Sequence, residues 1–250
     1  ADGGTPWCIG LGSGGATGWP ATDWVEDILL RTAPPSTYDK WVTNEIPFTA
    51  PPIVNAIKEF GWFAKNPKFV AGGPQAVATT DFRDSPNGLF SIPPKCFLHK
   101  QAQFVTDFFP KNVEVGKDVD FFYFPPYADH PELGRPVLGA GTLAMITKDS
   151  PAAKAFIQFL ATPISQEIWM AQTGFLTPFK MVNTDVYPND VLKREDKILL
   201  DATTYRFDGS DQMPGKIGAG AFWKAMVNFV GGESAQQAAE EVQKAWDAIK

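Results

Sequence analysis

The side chains that could do chemistry in this sequence are carboxylates, one arginine and several indoles, and their spacing suits holding a molecule better than reacting with one. His99 and His130 are the two histidines, and neither belongs to an HExxH or other metal-spaced cluster. Gly12-Ser13-Gly14 lacks the outer glycine of a nucleophile elbow, because position 11 is Leu11. Asp208 and Asp211 could be proposed as the acid and base of a glycoside hydrolase. Two carboxylates this close in one turn seldom face each other across a glycosidic bond, and they read instead as turn formers and helix N-terminal charge. The glycines at 10, 12 and 15 have a superficial look of a phosphate-binding turn, but Pro20 follows and no GK[ST] does, which argues against a nucleotide. No motif asks for a cofactor or a metal.

What remains is a binding set drawn from distant parts of the chain: Trp7, Trp19, Gly139 to Gly141, Arg206, Asp208 and Trp223. Indoles offer flat apolar faces, carboxylates and arginine each take two hydroxyls through paired hydrogen bonds, and bare glycine backbone allows close approach. Trp223 stands at the start of a predicted helix within Gly218–Gly232, behind residues too small to cover it. A lone tryptophan on an apolar helix also reads as core, and the residues alone leave both readings open.

Composition narrows the partner. At 250 residues with 44% apolar side chains the chain can bury a substantial core, as one large domain or two small lobes. A net charge of -6 speaks against nucleic acid and anionic membrane, both of which need a basic face. A neutral or weakly charged small ligand fits better, and the 13% aromatic share leans toward sugar rings. No run of about eighteen apolar residues could span a membrane. The first six residues lack the basic and apolar regions of a signal peptide, so the expectation is either a processed chain or one that begins within a longer precursor. Cys8 and Cys96 lack metal-binding neighbours. They fit one structural disulfide in an oxidising compartment or two buried thiols.

The elements that must position these residues follow from punctuation and periodicity. Trp7 to Leu11 is an expected strand that leaves into the glycine loop carrying Trp19. Asp23 and Glu26 form a capping pattern, with a structural helix on Trp24, Ile28 and Leu29 through Arg31. Pro52 to Lys65 reads as a helix with Ile53, Val54, Ile57, Phe60 and Phe63 inward. Short strands are expected at Ala76 to Thr80, Gly88 to Ile92, Val119 to Phe124 and Thr142 to Thr147. Ser150 caps a helix with Pro151 in its first turn and Ala152, Ala155, Phe156, Phe159 and Leu160 on one face, and a second helix runs from Pro163 to Gly174. The polar stretch from Val182 to Lys197 reads as a link. Ala235, Ala238, Val242, Ala245, Trp246 and Ile249 mark an amphipathic terminal helix.

The order of these segments from Val119 to Lys250 resembles the extracellular solute-binding proteins of carbohydrate ABC transporters, the class that includes the maltose-binding protein. The resemblance rests on Gly139-Ala-Gly-Thr-Leu-Ala-Met-Ile-Thr-Lys-Asp-Ser-Pro151, Pro163 to Pro178, and Met213-Pro214 before Ala221-Phe-Trp223. Over the whole chain the α-glucoside-binding branch is most similar, through Gly3 to Leu11, Thr80 to Pro86 and Arg206 to Asp211. The resemblance implies an α/β, periplasmic-binding-protein-like fold of two lobes that close over an α-glucoside or other oligosaccharide, without catalysis, and deliver it to permease subunits from the periplasm or cell exterior. It makes Trp223 a stacking platform, Trp7 a second aromatic at a strand end, and Lys95 a replacement for a further stacking tryptophan. It also sets Cys8 and Cys96 on segments bordering one side of the cleft, which favours their disulfide. A glycoside hydrolase or a stand-alone carbohydrate-binding module is the alternative.

One departure from the family is large: the first βαβ units of the N-terminal lobe have no counterpart here. Residues 1–126 and 187–250 are then expected to form the C-terminal lobe, with 127–186 a returning segment of the N-terminal lobe. Thr142 to Thr147 would lack sheet neighbours. The expectation is a fragment that needs the missing N-terminal portion as its partner.

Overall fold

Proline in the first turn opens six of the α-helices, because its fixed φ suits that turn and its missing N–H is not needed there. In the computed structural model, which describes residues 3–172 and 175–249, the chain runs β1 (Thr5–Trp7), α1 (Trp19–Thr32), α2 (Pro35–Val42), α3 (Pro51–Ala64) and α4 (Gly73–Thr79). It continues through β2 (Cys96–Leu98), β3 (Pro136–Gly139), α5 (Pro151–Leu160), α6 (Pro163–Met170) and α7 (Asp190–Leu200). It ends with β4 (Thr204–Phe207), α8 (Gly209–Gln212), α9 (Trp223–Gly231) and α10 (Ala235–Asp247). Among the described residues the strands make two parallel pairs, β1 with β2 and β3 with β4.

The chain divides into two units, the first made of 1–113, 124–139 and 203–250 and the second of 114–123 and 140–202. In the first, α1 and α3 cross through the core and bury Trp24, Val25, Ile28 and Leu29 against Ile53, Ile57, Phe60 and Phe63. The last segment closes the same core with Ile217, Phe222, Met226, Phe229 and Val242, and Phe222 meets Trp41 and Phe48 edge to face at 5.6 and 5.2 Å. Arg31 is buried at the end of α1, paired with the Asp27 carboxylate. Its guanidinium donates to the carbonyls of Phe124 (2.9 Å), Pro125 (3.2 Å) and Pro136 (3.1 Å), which fixes the approach to β3. Cys8 and Cys96 form a disulfide beside the β1–β2 pair, with a Cα separation of 5.5 Å.

The second unit has a small core of Met170, Tyr187 and Leu192, with Phe175, Leu176, Val182 and Val186 against it. The Tyr187 hydroxyl donates to Asp196 at 3.1 Å, and Thr177 donates to Gln166 at 3.0 Å. Ser150 caps α5 as its position suggests, accepting from the Ala153 N–H at 3.1 Å, and the terminal helix carries a Ser234–Gln237 capping box.

Several expected elements take another form. The helix expected to be capped by Asp23 is capped five residues earlier, by Gly18, and begins at Trp19, so Asp23 and Glu26 lie inside it. Ala76 to Thr80 falls largely in α4, since Gly72 and Gly73 in left-handed backbone followed by Pro74 start a helix there. Gly88 to Ile92 lies partly in a 3-10 turn over Ser85–Phe90. Val119 to Phe124 forms a single bridge, Val115 to Val119, and Thr142 to Thr147 forms no ladder and is exposed. With no neighbouring strand among the described residues, β propensity has nothing to pair with. The face of α5 expected to point inward is solvent-exposed at Ala152, Phe156 and Phe159, and the polar stretch expected to be a link contains most of α7. The helix end expected at Gly174 lies outside the described residues.

Candidate ligand-binding site

The site grows from the point where α1 and α9 begin. Gly18 caps α1 in left-handed backbone, φ 114°, and a Cβ there would overlap the carbonyl of Trp223. Only glycine lets the two helix starts approach so closely, and Trp19 and Trp223 both leave from that contact. Trp223 follows a turn of π-helix over Lys216–Phe222, the wide form that recurs where a helix is shaped by function. Its ring is half-buried and pairs with no other aromatic ring among the described residues. Trp19 is also half-buried, with Phe82 at its edge (5.2 Å) and Phe104 at 6.0 Å.

A chain of hydrogen bonds fixes the Trp223 indole. Its Nε1–H donates to Ser210 Oγ at 3.4 Å, and the Ser210 hydroxyl donates to Asp208 Oδ1 at 2.8 Å. Asp208 is the N-cap of α8, accepting from the Asp211 N–H at 3.0 Å, and its own N–H donates to the carbonyl of Gly139 at 2.8 Å. Glu26, fully buried, faces the start of α8 from α1. Its Oε2 accepts from the Gly209 N–H at 2.9 Å and its Oε1 from the Ser210 N–H at 3.0 Å.

One turn before Glu26 stands Asp23. It makes no side-chain hydrogen bond among the described residues, and its Oδ1 is buried without a partner. Burial pushes the Asp23 carboxyl well above the usual carboxylate range, with the nearby Asp208 adding to the rise and Lys100 opposing it. Glu26 is pushed up for the same first reason, then by Asp208 and Asp23, against the Gly209 and Ser210 N–H groups. Asp211 is raised by burial and then by Asp208. Lys100 is the nearby cation, with Nζ 3.2 Å from Asp27 Oδ2, 3.5 Å from the Asp23 carbonyl and 4.9 Å from the Trp24 ring. Carboxylates are acceptors and indole faces are apolar platforms, so this arrangement can take hydroxyls on one side and the C–H face of a ring on the other.

The structure thus gathers Trp223, Asp208, Trp19 and the Gly139 carbonyl from the residues singled out in the sequence. The others stand apart from them or are otherwise occupied. Trp7 sits at the core edge, with Trp24 edge-on at 5.2 Å and Phe63 at 5.7 Å. Arg206 grips Asp39 with two bonds of 2.5 and 2.8 Å. Lys95 is exposed, its backbone paired with Gly88 and Thr5. Gly141 is exposed in the second unit. Asp23, Glu26 and Ser210 were not legible as site residues. The signal was Pro20 behind Gly18: it starts the helix at Trp19 and makes Asp23 and Glu26 interior positions three apart on one face.

In fold, the chain is similar to a solved chitin oligosaccharide binding protein, with a TM-score of 0.74 over 98% of this chain and 60% of that one, at 17% identity. That establishes the solute-binding-protein fold. No protein-family model matches the chain. In sequence it is 70% identical, over 249 residues and all of its length, to the alpha-glucosides-binding periplasmic protein AglE of Rhizobium meliloti (strain 1021), covering 54% of that protein. It is 41% identical over 242 residues to the osmoprotective compounds-binding protein GgtB of Synechocystis sp., covering 97% of this chain and 57% of that protein. The chain belongs to the same family of binding proteins as AglE and GgtB, and it spans about half the length of these curated relatives. Both relatives are named for binding and neither for catalysis. Among the described residues no helix is long and apolar enough to cross a membrane.

Proposed function

We propose that this chain is part of the substrate-binding component of an ABC sugar importer, which takes up an α-glucoside in the periplasm and hands it to the permease without chemical change. The observation that carries the reading is the similarity to AglE along all of this chain, at 70% identity. The indole and carboxylate cluster of the first unit supports it, because its groups match a neutral ring bearing hydroxyls. In this reading Trp223 is the stacking platform, with Trp19 beside it, and Asp208 and Asp23 accept from sugar hydroxyls.

The first unit would be the C-terminal lobe and the second a returning segment of the N-terminal lobe. The exposed apolar side chains of the second unit, Phe156, Phe159, Ile164 and Ile168, would then be covered by the portion of the relatives' length that this chain does not span. Sugar held by both lobes would favour the closed form through contacts made only there.

Calorimetric titration with trehalose, sucrose and maltose tests the reading on two proteins: this chain alone, and the chain joined to the corresponding remainder of AglE. Tight binding by the joined protein and weak binding by the chain alone is the expected result. No α-glucoside bound by the joined protein would overturn the function, and full affinity in the chain alone would overturn the two-lobe division.

A further inference from the structure

The geometry points to Glu26 as a positioning residue for the ligand platform: from inside α1 its carboxylate holds the Gly209 and Ser210 N–H groups, and through Ser210 it sets Trp223 and Asp208. The inference rests on the reading of Trp223 and Asp208 as ligand contacts. Its geometry stands without that reading.

Glu26 has the burial of a core residue and the chemistry of a ligand. None of its surface reaches solvent, and both carboxylate oxygens are occupied by backbone donors of one short segment, at 2.9 and 3.0 Å. The Tyr38 hydroxyl lies 3.3 Å from Oε2 while donating to the Phe207 carbonyl at 2.9 Å, so α2 braces the same carboxylate. A buried carboxylate is costly unless its oxygens are satisfied, and here one of the two donors that satisfy it belongs to Ser210, the residue bearing the next link. Ser210 Oγ accepts from the Trp223 indole and donates to Asp208, which leaves its N–H free for Glu26. On the far side, a Cβ on Gly218 would overlap the Ser210 carbonyl, so the π-helical turn before Trp223 presses directly on that residue. Ser210 is therefore held from α1 by Glu26 and from behind by Gly218, with little room to turn. A purely structural role would require only that the charge be satisfied, by any donors. The use of the two N–H groups next to Asp208 ties α1 to the orientation of the indole.

The test uses this chain, uniformly labelled with 15N, and reads the indole N–H resonances of its eight tryptophans. Trp223→Phe assigns the Trp223 signal. Glu26→Gln keeps the shape but leaves one carbonyl oxygen and an amide group facing two N–H donors. The expected result is a shift of the Trp223 signal with its exchange against water accelerated about ten-fold, on the scale of one lost hydrogen bond. The signals of Trp62 on α3 and Trp169 in the second unit should stay in place. Glu26→Asp, which keeps the carboxylate but draws it back from the two N–H groups by one methylene, should move the same signal in the same way and serves if Glu26→Gln does not fold. An unmoved Trp223 signal in the folded Gln variant, or in Glu26→Asp where the Gln variant does not fold, would overturn the inference, as would equal shifts of all eight. Because no sugar is present, failure here is separate from failure to bind an α-glucoside.

Discussion

Replacing Asp23 with asparagine should move stability and affinity in opposite directions. The Asp23 carboxylate has no hydrogen-bond donor among the described side chains, its Oδ1 is buried, and Asp208, Asp27 and Asp211 all act to keep its proton on. Its folded-state value is therefore raised, and the folded protein binds that proton more tightly than the unfolded chain does. Below the ordinary carboxylate range both states are protonated and the contribution to stability is greatest. As pH rises from there through the raised folded value the unfolded state ionises first, and stability is lost, with a slope of at most about 1.4 kcal/mol per pH unit for this group. Asparagine cannot ionise, so the variant should lack this share of the slope and gain on the parent as pH rises toward neutrality. Affinity should go the other way. With its proton kept on, Asp23 is a neutral acceptor; such a hydrogen bond is worth about 0.5 to 1.5 kcal/mol, and asparagine turns one of the two oxygens into an NH2 donor, so α-glucoside binding should weaken by about two- to ten-fold. Urea unfolding from pH 4 to pH 8 gives the first quantity, and calorimetric titration of the joined protein gives the second. A variant less stable at neutral pH with unchanged affinity would refute the reasoning and make Asp23 a structural counter-charge for Lys100.

Other perturbations separate platform from scaffold. Trp223→Ala removes a half-buried ring and the indole bond to Ser210, and should cost about 1 to 3 kcal/mol of sugar binding. A lower melting temperature with affinity intact would instead make the ring core. Gly18→Ala should destabilise the fold by at least about 1 to 2 kcal/mol from its left-handed backbone alone, and more from contact with the Trp223 carbonyl, as urea unfolding would measure. Replacing Cys8 and Cys96 together with serine opens a loop with a sequence separation of 88 and should lower stability by about 4 to 5 kcal/mol on the chain-entropy account. Equal denaturation midpoints with and without reductant would count against it.

How much was legible in the sequence depended on whether the signal was local. Prolines and caps are local, so α3, α5 and α10 fall close to their expected places, and the apolar face of α3 is buried at every expected position. Strand signals failed where pairing decides. Val119 to Phe124 and Thr142 to Thr147 have the right side chains, but a strand exists only beside another, and propensity does not supply the neighbour. In the site, Trp223 and Asp208 could be picked out because each stands near glycines that mark a turn. Asp23 and Glu26 could not, because a carboxylate beside an apolar run looks like a cap, and only the true start of α1 turns it inward.

That displacement of five residues explains how the candidate site keeps its shape. Ionisable groups at Asp23 and Glu26 would be untenable on a marginal helix, since burial opposes their charge. The same helix buries Trp24, Val25, Ile28 and Leu29, each worth roughly 1.5 to 3 kcal/mol or more, and anchors its far end through Arg31 to three carbonyls. Burial of those neighbours offsets the cost of the carboxylates, so α1 can carry them at fixed positions against α8 and Trp223. A ligand meeting this face does not have to order it, so the binding free energy that ordering would consume is kept. Weakening the core of α1 should therefore lower affinity without touching a site residue. Ile28→Ala, expected to cost about 2 to 5 kcal/mol of stability, should weaken sugar binding while the protein is still folded, and unchanged affinity in a folded Ile28→Ala protein would show that the site is held by something other than this helix.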